Sequence, residues 1–366
     1  MKKETVTTNQ ITEGVIWKQL LLFFFPIVLG TFFQQLYNTA DTIVVGRFVS
    51  KEALAAVGGS AAQIVGLIVG FFVGLASGAS VIISQFYGAK NRVQLNRALH
   101  TAYAFSIIGS IFITVLGILI APWMLELMHT PQETMADALL YLRIYFAGII
   151  FVFIYNVGSS ILRAMGDSRR PLYYLIVCCI LNIVLDIVLV IVFHMGVAGV
   201  SIATIFSQGV SAVLITRALM HSDDLYQLEF RKIRFHKSAL ISLIWVGCPT
   251  GIQSVLYSVT NMLIQTFLNN LGTDTVAAWS AFGKIDSLYW MVNNAFGIAV
   301  TTFVGQNFGA GKYDRMKKSV RIGLCMGLCT ALTLTLIFYN FGTPLFRLFN
   351  SDENVVSIGM QMLHQV

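Results

Sequence analysis

The segment SQFYGAKN at residues 84–91 returns as GQNFGAGK at residues 305–312, and each copy follows a long apolar run. Gln85 and Gln306 correspond in the two copies, and so do Gly88 and Gly309. Upstream, LYNTAD at 36–41 matches LYSVTN at 256–261 at almost the same separation. An internal repeat of this length indicates two halves with the same fold.

The composition is that of a chain that lies in a membrane. Hydrophobic residues make up 56% of the sequence and charged residues only 11%, which is too little charge to cover a water-soluble surface. The polar start is followed by an apolar run without a small-residue cleavage site, so it predicts a first span and not a removed signal peptide. All five cysteines lie in apolar runs without metal-binding spacing, so we expect neither disulfides nor zinc.

Apolar runs of about 20 residues or more can cross the bilayer as helices. The repeat spacing contains six such runs, seen in full in the first copy, and this even number gives both copies the same orientation. We therefore predict an all-α polytopic membrane protein with two six-helix lobes related by a pseudo-two-fold axis along the membrane normal. The predicted spans are 17–46, 53–86, 96–121, 134–162, 171–193, 197–219, 239–268, 275–305 and 316–341, and a tenth run begins near Val355.

The repeat also predicts how the chain divides. The expected parts are an N-terminal lobe at 1–220, a basic linker at 221–238 and a C-terminal lobe at 239–366. Two complete copies would occupy roughly 440 residues. We therefore expect the chain to stop inside the second lobe, which then lacks its last two spans and part of a third.

The breaks between spans alternate in charge. GAKNRVQLNR, LRAMGDSRRP, RKIRFHK and GAGKYDRMKK are basic, whereas HTPQETMAD, LNNLGTD and NSDEN are neutral or acidic. Because basic loops face the cytoplasm, the protein is predicted to lie in the cell membrane with a cytoplasmic N-terminus. This placement also explains the net charge of +7 without a nucleic-acid partner.

Two acids lie inside predicted spans at a similar depth. Asp41 precedes Arg47 at the outer end of span 1 by six residues, and Asp186 precedes His194 at the outer end of span 5 by eight. At helical rise these distances are roughly 9 and 12 Å. An ionisable group inside a span is costly and usually marks an ion or substrate path.

Other oxygen-bearing residues share this level. Tyr141 of span 4 and Thr204 of span 6 lie at a comparable depth, and Asn182 occupies one helix face with Asp186. Crowded carboxylates beside amide and hydroxyl oxygens suit a small hard cation or an exchangeable proton. The repeat counterpart of Asp41 is Asn261, so this site is expected in the first lobe alone.

Further polar residues predict a cavity between the lobes, or else hydrogen bonds that join the spans. Lys284 and Asp286 of span 8 form either an ion pair, with each other or with a neighbouring residue, or a substrate contact. Pro26 in span 1 removes a backbone hydrogen bond and provides a candidate hinge. The other candidate cavity residues are Gln34, Tyr37 and Asn38 of span 1, with Gln253, Tyr257 and Asn261 of span 7.

Sequence patterns of common enzymes are absent. The chain has no GxxxxGK[ST] phosphate loop, HExxH, GxSxG or dinucleotide-binding GxGxxG. We therefore expect a transporter that is not an enzyme, uses no cofactor and draws its energy from an ion gradient.

Several segments together resemble the multidrug and toxic compound extrusion (MATE) transporters, and most closely the bacterial DNA-damage-inducible F-type branch. They are PIVLGTFFQQLYNTADTIVVGRFVSKEALAAVG, SQFYGAKN, LRAMGDSRRP, LNIVLDIVLV with GVAGVSIAT, and GQNFGAGK. The resemblance implies a twelve-helix monomeric exporter that exchanges inward Na⁺ or H⁺ for outward bulky, often cationic, amphipathic compounds.

Residues of the family's cation site map onto this sequence. The resemblance implies that Asp41, Asn182, Asp186 and Thr204 bind Na⁺ or H⁺, with Tyr141 beside them. The branch with a glutamate in span 7 has no match here, because no acid occurs between Cys248 and Leu271.

The alternative is a flippase for lipid-linked saccharides from the same wider superfamily. Such flippases usually carry several cavity cations, whereas Arg143 and Lys284 are the only intramembrane cations found in this sequence.

Overall fold

The computed structural model describes residues 11–222, 226–269, 273–347 and 352–365, and these form helices and connecting segments without a β-strand. Ten helices of 13 residues or more account for most of them. Residues 1–10 and residues 223–225 of the predicted linker lie outside the described residues. The helices are α1 Ile16–Phe48, α2 Lys51–Gly88, α3 Arg92–Leu127, α4 Gln132–Ala164, α5 Arg169–Val192, α6 Gly196–Met220, α7 Lys237–Asn269, α8 Thr273–Gly309, α9 Tyr313–Arg347 and α10 Glu353–Gln365.

The helices follow the predicted spans closely. Each of the nine complete runs lies inside one helix, apart from one residue at the end of α5, and the tenth run coincides with α10. Eight of the described helices are long and apolar enough to cross a membrane. Helix α8 has 37 residues but is not among the eight, because polar residues such as Lys284 and Asp286 interrupt its apolar sequence.

Two helices of the first lobe contain irregular turns that the apolar periodicity does not predict. Helix α2 has a π-type turn at Val57–Ala61, where Gly59 has non-helical torsion angles, φ −91° and ψ −118°. Helix α5 changes to π-type turns directly after Asp186, at Ile187–Val192. Such turns often occur at functional sites.

The helices form two groups whose contacts agree with the predicted pseudo-symmetry. In the first group α4 packs against α2, α3 and α6, while α5 packs against α1 and α6. In the second group α8 packs against α7, α9 and α10. Between the groups, α1 contacts α8 and α2 contacts both α7 and α8. An axis that exchanges α1 with α7 and α2 with α8 requires this pattern.

Glycines bring α2 and α7 into direct backbone contact. A Cβ atom on Gly74 would lie 2.5 Å from the Cα atom of Gly251, and one on Gly78 would lie 2.5 Å from the backbone nitrogen of Gly247. Any side chain at these positions would force the helices apart. This seam lies toward the end of the molecule that carries the loops after α2, α4, α6 and α8, which we call the basic end.

The repeated segments also pack on each other at the basic end. A side chain at Gly88 would overlap the carbonyl oxygen of Gln306, and one at Gly309 would overlap the carbonyl oxygen of Gln85. Both copies of the repeated segment therefore need glycine at this position, because only glycine lets the backbones of the two segments come so close. The lobes meet at the basic end, whereas Tyr257 in the opposite half of α7 is 50% exposed.

Candidate functional site

A buried acid pair lies among α1, α5 and α6, in the half of the first lobe away from the basic end. Asp41 on α1 is 7% exposed, and Asp186 on α5 is fully buried. Thr204 on α6 donates a hydrogen bond from Oγ1 to Asp41 Oδ2 over 3.1 Å. Asp186 and Asn182 lie beside the Asp41 carboxylate, but neither makes a hydrogen bond of good geometry to it. Four of the five predicted cation-site residues thus come together.

Tyr141, the fifth residue of the predicted set, borders the acid pair from α4. Its side chain is buried, and its ring stacks on Tyr145 with the ring centroids 6.0 Å apart. Both Asp41 and Asp186 lie within electrostatic range of the Tyr141 hydroxyl. The aromatic pair therefore forms one wall of the site and limits the access of water to the carboxylates.

Several polar atoms of the site are shielded from water and have no hydrogen-bond partner among the described residues. They are Asp41 Oδ1, both carboxylate oxygens of Asp186 and both amide atoms of Asn182. Burying a carboxylate without a partner is very costly, and two adjacent carboxylates also repel each other. Protons or a cation would remove both costs.

The donor set fits a proton or a small monovalent cation. Carboxylate, amide and hydroxyl oxygens are ligands of hard cations. The described residues bring no third His, Cys, Asp or Glu to the pair. Two carboxylates can therefore be neutralised by two protons, or by one Na⁺ together with one proton.

A second polar layer lies one helical turn from the acids. Tyr37 precedes Asp41 by four residues and is buried, and Gln208 Nε2 donates to the Tyr37 hydroxyl oxygen over 3.1 Å. The structure therefore places Tyr37 in the interior of the lobe, whereas the sequence suggested the cavity. Sequence reasoning missed Gln208, although its position four residues after Thr204 on α6 is a usable signal.

The other candidate residues of α1 lie at the edge of the buried face. Gln34 and Asn38 are exposed. By their spacing in the sequence, Gln34, Asn38 and Asp41 should lie on one face of α1. Of the three, Asp41 is buried, whereas Gln34 and Asn38 are exposed. Gln34 and Asn38 thus remain available to a cavity, and Asp41 does not.

The candidates of α7 and α8 are also on the surface of the described residues. Gln253, Tyr257 and Asn261 are exposed, and the Tyr257 ring lies 5.8 Å from that of Trp290 on α8. None of them reaches the acid pair of the first lobe, because they belong to the other group of helices.

Lys284 and Asp286 occupy different environments on α8. Lys284 is exposed, whereas Asp286 is half-buried beside Trp290. None of the ion pairs between described residues joins them. Residues two apart on a helix do not face each other, so of the alternatives that the sequence left open, a mutual ion pair is not observed.

Comparison with known proteins places this arrangement in a family. The model of the MatE family matches residues 26–188 and 249–366. A Bacillus subtilis (strain 168) protein described as "Probable multidrug resistance protein YpnP" is 32% identical over 354 residues, which cover 96% of this chain and 78% of that protein. "Probable multidrug resistance protein YoeA" of the same strain is 28% identical over 370 residues, 99% of this chain and 79% of that protein.

A solved structure shares the fold. The "Outward-facing conformation of a multidrug resistance MATE family transporter of the MOP superfamily" superposes with a TM-score of 0.90 at 23% identity, covering 99% of this chain and 80% of that one. The two-lobed helical architecture predicted from the repeat is thereby confirmed, while the F-type branch stays a prediction. The match to the family model covers both halves of the repeat, and the chain belongs to the MatE family.

Proposed function

We propose that this protein is a secondary multidrug exporter, in which inward movement of Na⁺ or H⁺ drives outward movement of bulky, often cationic, amphipathic compounds. The family and the relatives described as multidrug resistance proteins support drug export. The observation that carries the coupling proposal is the buried pair of Asp41 and Asp186, whose unpartnered oxygens lie inside a membrane lobe. No ATP-binding loop is found in the sequence, so the ion gradient supplies the energy.

The acid pair acts as the coupling site in this proposal. Without a cation, the carboxylates of Asp41 and Asp186 repel each other, and Thr204 stabilises only one oxygen of the pair. A bound proton or Na⁺ cancels the repulsion and draws the side chains of α1, α5 and α6 together. Asn182 supplies an amide oxygen to the cation, and Tyr141 shields the pair from water.

Helix α1 is the element that transmits the change. It runs without interruption from Ile16 to Phe48 and contains Pro26, where a backbone hydrogen bond is missing. Asp41 and Tyr37 hold the other half of the helix against α6 through Thr204 and Gln208. In this proposal, binding of the cation bends α1 at Pro26, which narrows the drug-binding space that α1 borders and expels the drug.

The orientation follows from the charge of the loops. We place the basic end in the cytoplasm of the bacterial cell, together with the N-terminus, by the positive-inside rule. The glycine seam and the repeated segments then join the lobes on the cytoplasmic side, and in this proposal the drug leaves on the opposite side. The lobes correspond to 1–220 and 239–366, joined by the linker at 221–238, and one copy of the protein suffices for transport.

Efflux of ethidium from vesicles that contain the full-length protein tests this function. Na⁺ and H⁺ gradients are imposed separately, and empty vesicles provide the control for leakage. We expect efflux to follow one of the two gradients. Efflux that ignores both gradients contradicts the coupling, and translocation of a lipid-linked saccharide without ethidium efflux identifies a flippase.

A further inference from the structure

An open cavity of about 700 Å³ lies at the basic end, where the linker between the lobes enters α7. Helix α3 and the linker supply two of its walls, and the first turns of α7 supply the third. Most of its side chains are cationic or apolar, and none is acidic. The residues that matter below are Arg97 of α3, Arg234, Phe235 and His236 of the linker, and Lys237 and Ile241 of α7.

Among the described residues, no acid neutralises the positive charge of the cavity. Arg97, Arg234 and Lys237 are exposed, and none of them takes part in an ion pair between described residues. The linker acid Glu229 is already paired with Lys232, with 2.6 Å between Oε1 and Nζ. Three full charges therefore point into one open space.

The pKa of His236 reflects the positive electrostatic potential of the cavity. Its pKa lies below the ordinary value because the side chain is partly buried, and because the charges of Arg234 and Arg97 disfavour a further positive charge. Arg234 Nε instead donates to His236 Nε2 over 3.4 Å. A site with an uncompensated positive potential attracts anions.

Helix α3 holds the linker in place beneath these side chains. The backbone nitrogen of His236 donates to Thr101 Oγ1 over 3.1 Å, and that of Glu229 donates to His100 Nε2 over 3.1 Å. The first backbone hydrogen bond of α7 runs from Leu240 to the His236 carbonyl. The backbone N–H groups of α7 that precede Leu240 thus lie at the positive end of the helix, next to the cationic side chains.

Apolar surface continues from the cationic groups along α7. Phe235 and Ile241 at the rim are exposed, and Trp245, one turn beyond Ile241 on the same helix face, is 80% exposed. Exposed tryptophan near the end of a span is typical of the membrane interface. Cationic groups followed by apolar surface in this order match the order of phosphate and acyl chains in a phospholipid.

We propose that this cavity binds the headgroup of an anionic phospholipid from the adjoining membrane leaflet. Arg97, Arg234 and Lys237 contact the phosphate, and the acyl chains follow Ile241 and Trp245 along α7. A free inorganic phosphate would use the same cations but would leave the apolar surface uncovered. The lipid thereby links α3 of the first lobe to the linker and α7 of the second.

The pseudo-symmetric position before α1 carries a different charge among the described residues. The described segment that precedes α1, ITEGV at 11–15, contains Glu13 and no Lys or Arg. The guanidinium of Arg315 on α9 is already engaged there, because it donates hydrogen bonds to the backbone carbonyls of Ile11, Glu13 and Gly14. The exposed cations of α9 therefore provide a matched control at the same end of the molecule.

The test measures lipid binding to the full-length protein by native mass spectrometry. Detergent-solubilised protein is titrated with phosphatidylglycerol, with phosphatidylcholine and with inorganic phosphate. The pocket variant combines Arg97→Gln, Arg234→Gln and Lys237→Gln, and the control variant combines Lys317→Gln, Lys318→Gln and Arg321→Gln. Both variants remove three exposed charges from the basic end.

The wild-type protein is expected to prefer phosphatidylglycerol over the other two ligands. The pocket variant should bind it at least about tenfold more weakly, since each cation near a membrane surface contributes to anionic-lipid binding, and the control should stay within about twofold. Equal losses in the two variants, or no loss in the pocket variant, would overturn the proposal.

Two further measurements separate a lipid site from a bare anion site and from a folding defect. Trp245→Ala should weaken phosphatidylglycerol binding while leaving phosphate binding unchanged. Full displacement of phosphatidylglycerol by an equal concentration of phosphate would overturn the lipid assignment. Arg97→Lys with Arg234→Lys keeps the charge and should retain lipid binding within about threefold, and loss of binding there would contradict the electrostatic argument.

Discussion

The first lobe holds a buried pair of acids, whereas the second lobe has an uncharged residue at the position that corresponds to one of them. Asp41 of α1 is buried and accepts a hydrogen bond from Thr204, while its counterpart in α7 is the uncharged Asn261. Both residues come from the same repeat. The repeat thus preserves the shape of the two halves, and among the described residues the pair of fully or almost fully buried acids lies in the first half.

The acids of the two lobes show the same contrast. Asp186 on α5 is fully buried, and neither of its carboxylate oxygens has a hydrogen-bond partner among the described residues. Asp286 on α8 is only half-buried, beside Trp290. Burial without a partner makes an acid depend on a bound cation, and partial exposure does not, because water can solvate the charge. The contrast can therefore be tested with matched substitutions.

The largest expected effect concerns cation-dependent stability. Na⁺ or protons should raise the unfolding temperature of the full-length protein, because a ligand that binds only the folded state stabilises it. Asp186→Asn should abolish this rise and make the protein stable without the cation, since the repulsion with Asp41 is gone. Asp286→Asn, the control, should keep the rise. If the Asp186→Asn variant kept the full cation-dependent rise in unfolding temperature, the contrast drawn between Asp186 and Asp286 would be wrong.

A smaller effect is expected for the hydroxyl that bonds Asp41. Thr204→Val keeps the shape of the side chain but removes a hydrogen bond to a charged group, which is worth about 1.5–3 kcal/mol. Cation affinity, measured by the same thermal titration, should fall roughly tenfold. Thr260→Val on α7 is the control, because the Thr260 hydroxyl donates to the Leu256 carbonyl at an exposed position. Equal effects of the two substitutions would argue against a special role for Thr204.

The second polar layer should contribute to stability more than to coupling. Tyr37→Phe leaves Gln208 Nε2 without its acceptor and should lower the free energy of unfolding by about 1–3 kcal/mol. Chemical denaturation measures this loss, and the exposed Tyr257→Phe should show almost none. A Tyr37→Phe variant that is as stable as the wild type would show that this hydrogen bond has no net value.

The smallest effect is expected when the second lobe receives an acid. Asn261→Asp gives the second lobe a carboxylate at the position that corresponds to Asp41, and α7 itself carries no acid that could pair with it. The steepness of the cation dependence of efflux should stay unchanged. A steeper dependence would mean that a second cation site forms in the second lobe, so that a single acid is enough for a site.

The sequence was sufficient to predict the spans, the repeat and the depth of the acids. Apolar runs interrupted by charged loops leave few choices for a membrane helix, and helical rise converts residue number into depth. Asp41, Asp186 and Thr204 could therefore be placed at one level without a structure. The burial of Tyr37 could not be predicted in this way, because depth does not determine which side of a helix is covered by its neighbours.

Other features depend on contacts between helices that a sequence does not contain. Helix α2 has glycines throughout, but Gly74 and Gly78 touch α7 while Gly58 and Gly66 face open space. The π-type turns continue an apolar run, so hydropathy does not reveal them. Gln208 had a usable signal in its spacing from Thr204, since four residues on a helix share a face.

The central claim is that Asp41 and Asp186 together couple cation entry to drug release. The most direct measurement is gradient-driven ethidium efflux by the full-length protein that carries Asp41→Asn and Asp186→Asn, with membrane insertion checked in parallel. The account predicts normal insertion and loss of gradient-driven efflux, because asparagine keeps the size of the side chains but removes the charge that the cation neutralises. Efflux at the wild-type rate with the same ion dependence would contradict it and would place the coupling site elsewhere.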